Sequence, residues 1–282
     1  MTSVHIEPIT IDAWGLTDRG KMRAENEDHF IVAEIHKSVE VLSGSLSSEA
    51  VNQRIGKTGA QLLVVADGVG GGPRGDFASE RSTTAVLTYA AKTAGCFHGL
   101  DVDHEHSLLL ALEDTVHEVH SQLLKEGEGP RQRNPATTLT LVLLVWPRAY
   151  LVHVGDSRAY VRRRGRVQAL TRDQTFGEYM IAAGAWSEEQ ASHSRTAETL
   201  ASAIGGSDMT PSVGLVDLEP GDSLMLCTDG LTRHVDEARI AEVLGAPNDA
   251  RAMAEQLVAE ALAAGGSDNV SVIVARALIT NH

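Results

Sequence analysis

Two cysteines, Cys96 and Cys227, are all that 282 residues contain, so the chain has neither a dense disulfide framework nor a CxxC metal site. Both are expected in the core of a protein kept in a reducing compartment. Long apolar runs are missing as well. The longest, Leu139 to Trp146, is too short to span a bilayer, and the opening MTSVHIEPIT has neither the basic segment nor the apolar stretch of a signal peptide. A soluble, cytoplasmic protein with no membrane association is expected. Basic charge is scarce too: 24 Lys and Arg stand against 38 Asp and Glu, a net charge of -14. That balance opposes a broad nucleic-acid-binding surface, which gathers Lys and Arg to neutralise phosphates. No repeat is apparent, and the length fits one domain over 1–282.

What is present is a set of apolar runs and alternations. They predict strands at 11–17, 28–35, 61–66, 138–146, 149–154, 158–163, 211–217, 222–228 and 270–277, and helices at 76–94, 106–125, 174–183, 236–244 and 249–264. This order lacks βαβ alternation and reads as α+β, with helices packed outside antiparallel sheets. Segments 36–59, 126–136 and 184–210 read as loops from their Gly, Pro and Ser content. The last is long enough for a lid or flap, equally for a disordered loop.

Acids recur where the apolar runs end. QLLVVA leads into Asp67-Gly68, YLVHVG into Asp156-Ser157 and SLMLCT into Asp229-Gly230, while Asp268-Asn269 precedes VSVIVAR. Singly, each is an ordinary turn dipeptide. Together with Arg23, Glu27 and Asp28 in TDRGKMRAENEDHF, they place carboxylates at several strand ends, which can converge on one edge of a sandwich. There their repulsion is unfavourable unless cations are bound. Hard oxygen donors without thiolates select Mg²⁺ or Mn²⁺. Two such ions, roughly 3.5–4 Å apart in two-metal hydrolases, activate a shared water and clamp a phosphoryl oxygen.

The motifs Arg23-Ala-Glu-Asn-Glu27-Asp28, Ala66-Asp67-Gly68, Ala136-Thr-Thr-Leu-Thr140, Val154-Gly155-Asp156-Ser157-Arg158, Thr228-Asp229-Gly230 and Ser267-Asp268-Asn269-Val270 resemble, in order, the signature of the protein phosphatase 2C (PPM) family, especially its bacterial members. The likeness runs from about residue 12 to 277. It implies a central β-sandwich of two antiparallel sheets flanked by helical pairs, with a flap over about 173–210. It also implies a serine/threonine phosphatase acting by direct attack of a metal-bridging hydroxide on phosphorus. Carried over residue by residue, Asp67 bridges the two ions, Asp229 and Asp268 complete the first site, and Glu27 with the Gly68 carbonyl serves the second. Asp156 with Asp229 resembles the pair that holds a third, weaker ion. Arg23 resembles the phosphate-binding arginine, whose planar fork suits two phosphate oxygens; the plainer reading is an ion pair with a nearby acid. Asp28 is expected to accept from metal-bound water and Asn269 to support Asp268. The catalytic group would be Arg23, Asp67 and Asp229. Implied partners are phosphorylated proteins and an opposing Hanks-type kinase, with the enzyme a monomer.

Departures from the pattern matter. Val69 stands where many eukaryotic members carry the histidine thought to act as general acid, and Ser202 stands where bacterial relatives usually carry a flap arginine. His153, inside YLVHVG, is better read as a core histidine than as a proton donor. Thr137 and Thr138 read as β-formers without chemistry. Two other metal signals are weaker. His98, Asp101, Asp103, His104 and His106 read as a solvated loop, and His117 and His120 as a helix surface. A dinucleotide loop over Gly70 to Gly75 satisfies GxGxxG, but Asp67 would then face the anionic pyrophosphate. The remaining alternative is a catalytically weak pseudophosphatase serving as a binding module. It is opposed by the presence of every expected metal ligand.

Overall fold

The computed structural model describes residues 9–39, 55–69, 73–93, 102–126 and 134–279. The described residues form eleven strands: β1 Ile9–Asp18, β2 Asp28–Val39, β3 Ile55–Val69, β4 Ala136–Thr137, β5 Leu139–Val145, β6 Arg148–Val154, β7 Arg158–Arg163, β8 Arg166–Ala169, β9 Ser212–Asp217, β10 Ser223–Cys227 and β11 Val270–Ile279. Helices are α1 Pro73–Thr93, α2 Val102–Glu126, α3 Phe176–Ala182, α4 Glu188–Ser192, α5 Asp229–Thr232, α6 Glu237–Val243 and α7 Ala250–Ala263. One sheet has the order β1-β11-β10-β7-β8 and the other β2-β3-β5-β6-β9, with β4 paired to β3. The pairings are antiparallel.

The central strands are apolar on both faces because both faces are covered. Along β3, Leu63 and Val65 pack between the sheets with Val142, Leu226 and Ile273. Leu62, Val64 and Ala66 point the other way, onto Val86 of α1 and Leu112 of α2. Along β11, Ile273 and Ala275 face the sandwich interior, while Val272 and Val274 meet Met253 and Leu257 of α7. The result is the α-β-β-α layering, and each fully buried Leu or Val contributes about 1.5–3 kcal/mol. Helix α7 shows how local and tertiary signals agree. Asp249 caps it by accepting from the Ala252 N–H, and its buried positions Met253, Ala254, Leu257, Val258 and Ala261 follow helical spacing.

Every strand and helix anticipated from pattern is present, and the differences lie at polar edges. The 36–59 segment is not all loop: β2 runs to Val39 and β3 starts at Ile55, while 40–54 lie outside the described residues. The 184–210 segment contains α4, whose Ser187 and Gln190 form a reciprocal capping box. Asp103 and His104 belong to α2, which starts at Val102 rather than at the expected 106. Cys227 is buried as expected. Cys96, His98, Asp101 and Gly70 to Gly72 lie outside the described residues. Among the described residues no helix is long and apolar enough to cross a membrane.

Candidate active site

The two-residue side-chain period of a strand aims the key acids. On β3 the interior-facing series Leu63, Val65 continues to Asp67, and Asp28 of β2 stands opposite it in register. Asp229 opens α5 directly after β10, and Asp268 directly precedes β11. The four acids therefore meet at one end of the sandwich, two from each sheet. Asp67, Asp229 and Asp268 line a cavity of about 690 Å³ with Arg23, Glu27, Gly68, Val69, Asp156 and Arg233, while Asp28 is buried beside Thr228 and Ser271. Flap residues Glu198, Thr199 and Leu200 close one side.

Backbone bonds fix the acids before any ligand arrives. Thr138 holds Asp67 from both sides, since its N–H donates to the Asp67 carbonyl at 2.9 Å and its Oγ1 accepts from the Asp67 N–H at 3.0 Å. The Thr137 hydroxyl donates to the same carbonyl at 2.8 Å. These threonines thus position Asp67, a role that strand propensity alone did not disclose. Asn269 works on the other sheet: its backbone N–H donates to Asp268 Oδ1 at 2.9 Å, supporting that acid as expected, while its side chain turns elsewhere. Its Nδ2 donates to the carbonyls of Arg19 and Glu25 at 2.8 and 2.9 Å, and its Oδ1 accepts from the Glu27 N–H at 2.9 Å. One side chain therefore shapes the loop that carries Arg23 and Glu27. Gly68 is required by close approach: a Cβ there would overlap the backbone of Gly75 at the start of α1.

The electrostatics are those of acids crowded out of water. Burial raises Asp67 well above the usual carboxylate range, with Asp28, Asp229, Asp156 and Asp268 adding repulsion. Burial also brings Asp28 and Asp156 to about 7 and raises Asp229. Asp28 Oδ2 accepts from the hydroxyls of Thr228 and Ser271, both at 2.8 Å. Among the described residues Asp28 Oδ1 and Asp229 Oδ1 are buried without a hydrogen-bond partner, a costly state for a carboxylate that a cation or its water would relieve. As the side chains stand, no three acids, histidines or cysteines among the described residues converge closely enough to ligate one ion. Two of the acids are turned onto arginines instead. Arg23, 47% exposed, gives a 2.6 Å bond to Asp268 Oδ2, the plain ion pair weighed above. Arg233, which pattern reading passed over, reaches Asp229 Oδ2 through Nε at 2.9 Å and Nη2 at 2.6 Å.

His153 is the core histidine anticipated. It is 1% exposed, its Nδ1 meets the Thr140 hydroxyl at 2.8 Å and its Nε2 meets the Arg172 carbonyl at 3.2 Å. Desolvation lowers its pKa to about 4. His120 is more than helix surface, because its Nδ1 accepts from the Gly205 N–H at 3.0 Å at the flap's end. The flap is a folded unit, with Phe176 edge-on to Trp186 at 5.3 Å and its strands of loop tied by Phe176 N–H to Thr199 O and Gly177 N–H to Ala197 O. Ser202 accepts from the Thr210 N–H at 3.0 Å and so serves the flap's own structure.

Comparison with known proteins follows this geometry. A family model described as Protein phosphatase 2C matches residues 43–264. The serine/threonine protein phosphatase PstP of Mycobacterium tuberculosis is 31% identical over 92% of this chain and 43% of its own length, so the chain spans less than half of that relative. The serine/threonine phosphatase of S. agalactiae superposes with a TM-score of 0.78 at 26% identity, covering 95% of this chain and 99% of that one. The catalytic domain of PstP in complex with two manganese ions gives a TM-score of 0.72 at 29% identity, covering 96% and 100%.

Proposed function

The chain belongs to the protein phosphatase 2C family, and from that premise we propose that it hydrolyses phosphoserine and phosphothreonine in proteins with the help of two divalent cations, Mn²⁺ or Mg²⁺. The observation that carries this reading is the meeting of Asp67, Asp229, Asp268 and Glu27 around one cavity, with a buried carboxylate oxygen on each of Asp28 and Asp229 that has no hydrogen-bond donor among the described residues. When bound, the cations supply Lewis acidity, lowering the pKa of a shared water and offsetting phosphate charge.

The chain's own residues do the rest. Asp67, Asp229 and Asp268 would hold one cation, and Glu27 with the Gly68 carbonyl, sharing Asp67, would hold the other. Asp156 with Asp229 would offer a weaker third position. Arg23, released from Asp268, grips two phosphate oxygens and orients the ester for in-line attack by activated water, without a phosphoenzyme. Asp28 accepts from water in the pocket, and Asn269 keeps the Arg23–Glu27 loop in register. Among the described residues no histidine, lysine or tyrosine lines the cavity. The leaving alkoxide therefore takes its proton from water or from a carboxyl held there. The family resemblance further supports a monomer that reverses a bacterial Hanks-type kinase in the cytoplasm.

The test is phosphate release from an aryl phosphate and a phosphothreonine peptide, with and without Mn²⁺, by the wild type and Asp229→Asn. Release by the wild type with Mn²⁺ and loss in the variant support the reading. No release with any divalent ion, or an unchanged rate in the variant, overturns it.

A further inference from the structure

Arg233 has no part in the reaction just described, yet it touches acids from three separate elements. Besides its two bonds to Asp229, its Nη2 stands 3.5 Å from Glu198 of the flap and its Nη1 4.0 Å from Asp268. Its backbone is fixed, since the Arg233 N–H donates to the Asp229 carbonyl at 2.9 Å where α5 ends. Only the side chain, 40% exposed, is free to swing.

We propose that Arg233 is the resident counter-ion of the acid cluster: it competes with a divalent cation for Asp229 and, once displaced, holds the flap through Glu198. The inference rests on the metal reading of Asp229 given above. Asp229 Oδ2 spends its lone pairs on the guanidinium, so a cation can use that oxygen only when Arg233 leaves. Cations held by Asp229 and Asp268 would also repel the guanidinium from the two acids it now contacts. Asp156 also feels the Arg233 charge but belongs to the third cation position in the metal reading, which leaves Glu198, 78% exposed at the cavity rim, to take the displaced guanidinium. The neighbouring Thr199 carbonyl accepts from the Phe176 N–H at 2.8 Å, so a grip on Glu198 is passed to the start of α3. Linkage makes the effect reciprocal, and whatever the cation does to the flap the flap does to the cation's affinity. An isolated exposed pair four residues apart would do none of this.

The experiment is calorimetric Mn²⁺ titration of the full chain as wild type, Arg233→Gln, Glu198→Gln and the double variant. Limited trypsin cleavage at the exposed Arg195 of the flap is followed in parallel. Removing the competitor is expected to tighten Mn²⁺ binding roughly fivefold in Arg233→Gln, within the usual range of coupling between sites. Removing the alternative partner weakens it in Glu198→Gln, and the double variant matches Arg233→Gln. Mn²⁺ slows cleavage at Arg195 in the wild type but in neither single variant. Affinity in Arg233→Gln equal to or below wild type, or cleavage indifferent to Mn²⁺ in the wild type, overturns the inference. Should Arg233→Gln not fold, the sign of the change in Glu198→Gln decides alone. A wild type that binds no Mn²⁺ removes the metal reading itself, whereas a binding wild type with an unchanged Arg233→Gln removes only the role of Arg233.

Discussion

Thr138 and Asp67 exchange hydrogen bonds in both directions: the Thr138 N–H donates to the Asp67 carbonyl, and the Asp67 N–H donates to Thr138 Oγ1. Thr138 Oγ1 also lies 2.8 Å from Ser157 Oγ, beside Asp156. A threonine on a short connecting segment therefore ties two of the acid-bearing loops together.

Thr138→Val keeps the shape and removes the oxygen. It leaves the buried Asp67 N–H unsatisfied, at a cost of about 1–3 kcal/mol, and loosens the aim of the carboxylate. Thermal denaturation is expected to show a lowered Tm, and phosphate release a lowered kcat, with Thr138→Ser recovering most of both. A wild-type Tm and rate in Thr138→Val would refute the positioning role.

Without metal, stability should fall as pH rises. Asp28 and Asp156 titrate near 7 in the folded chain, against an ordinary 3.8. Between those values the folded state holds protons that the unfolded chain has released, so their contribution is full below about pH 4 and is lost as pH passes about 7. His153 works the other way, its contribution vanishing as pH falls from 6.5 through about 4. With two acids and Asp67 outweighing one imidazole, the Tm in EDTA is expected to drop from pH 5 to pH 8. Mn²⁺ should restore more stability at the upper end than at the lower. A Tm in EDTA that climbs over this interval would contradict the repulsion argument.

His153→Gln separates a core histidine from a proton donor. The expected result is a loss of about 1–3 kcal/mol of stability from the disturbed bonds to Thr140 and Arg172, with the pH–rate profile of phosphate release keeping its shape. Disappearance of one limb of that profile would return His153 to the chemistry.

Asn269→Ala removes three bonds to the 19–27 loop at once. Weakened support of this kind typically costs 10–100-fold in metal affinity, so Mn²⁺ binding by calorimetry is expected to weaken by roughly tenfold while the cavity acids remain in place. Unaltered affinity would mean that the loop holds its own shape.

The acids were legible because each borders an apolar run: QLLVVA ends at Asp67, SLMLCT ends at Asp229, and Asp268 leads into VSVIVAR. Such runs can be read without knowing the partner strands. Arg233 was hidden for the opposite reason: its role arises from a four-residue helix whose start is set by Asp229 itself, too short to carry a periodic signal. Thr137 and Thr138 were hidden because their hydroxyls serve a backbone 70 or 71 residues away. Strand β8, four mostly exposed residues from Arg166 to Ala169, is too short for its alternation to stand out. The outer stretches of β2 and β3 carry polar residues, and pairing with each other extends them where composition reads as loop.

The Asn269 side chain meets the Glu27 N–H across 242 residues of sequence, and β1 pairs with β11 from Ile9↔Ile279 to Asp18↔Val270. Neither sheet is a contiguous stretch of chain, and each supplies half of the acids. Until the segment leading into β11 is in place, the site lacks Asp268 and the Asn269 brace for Glu27. Closing so long a loop is among the slower events of folding. The cavity is therefore complete only once β11 has paired with β1 and Asn269 has reached Glu27.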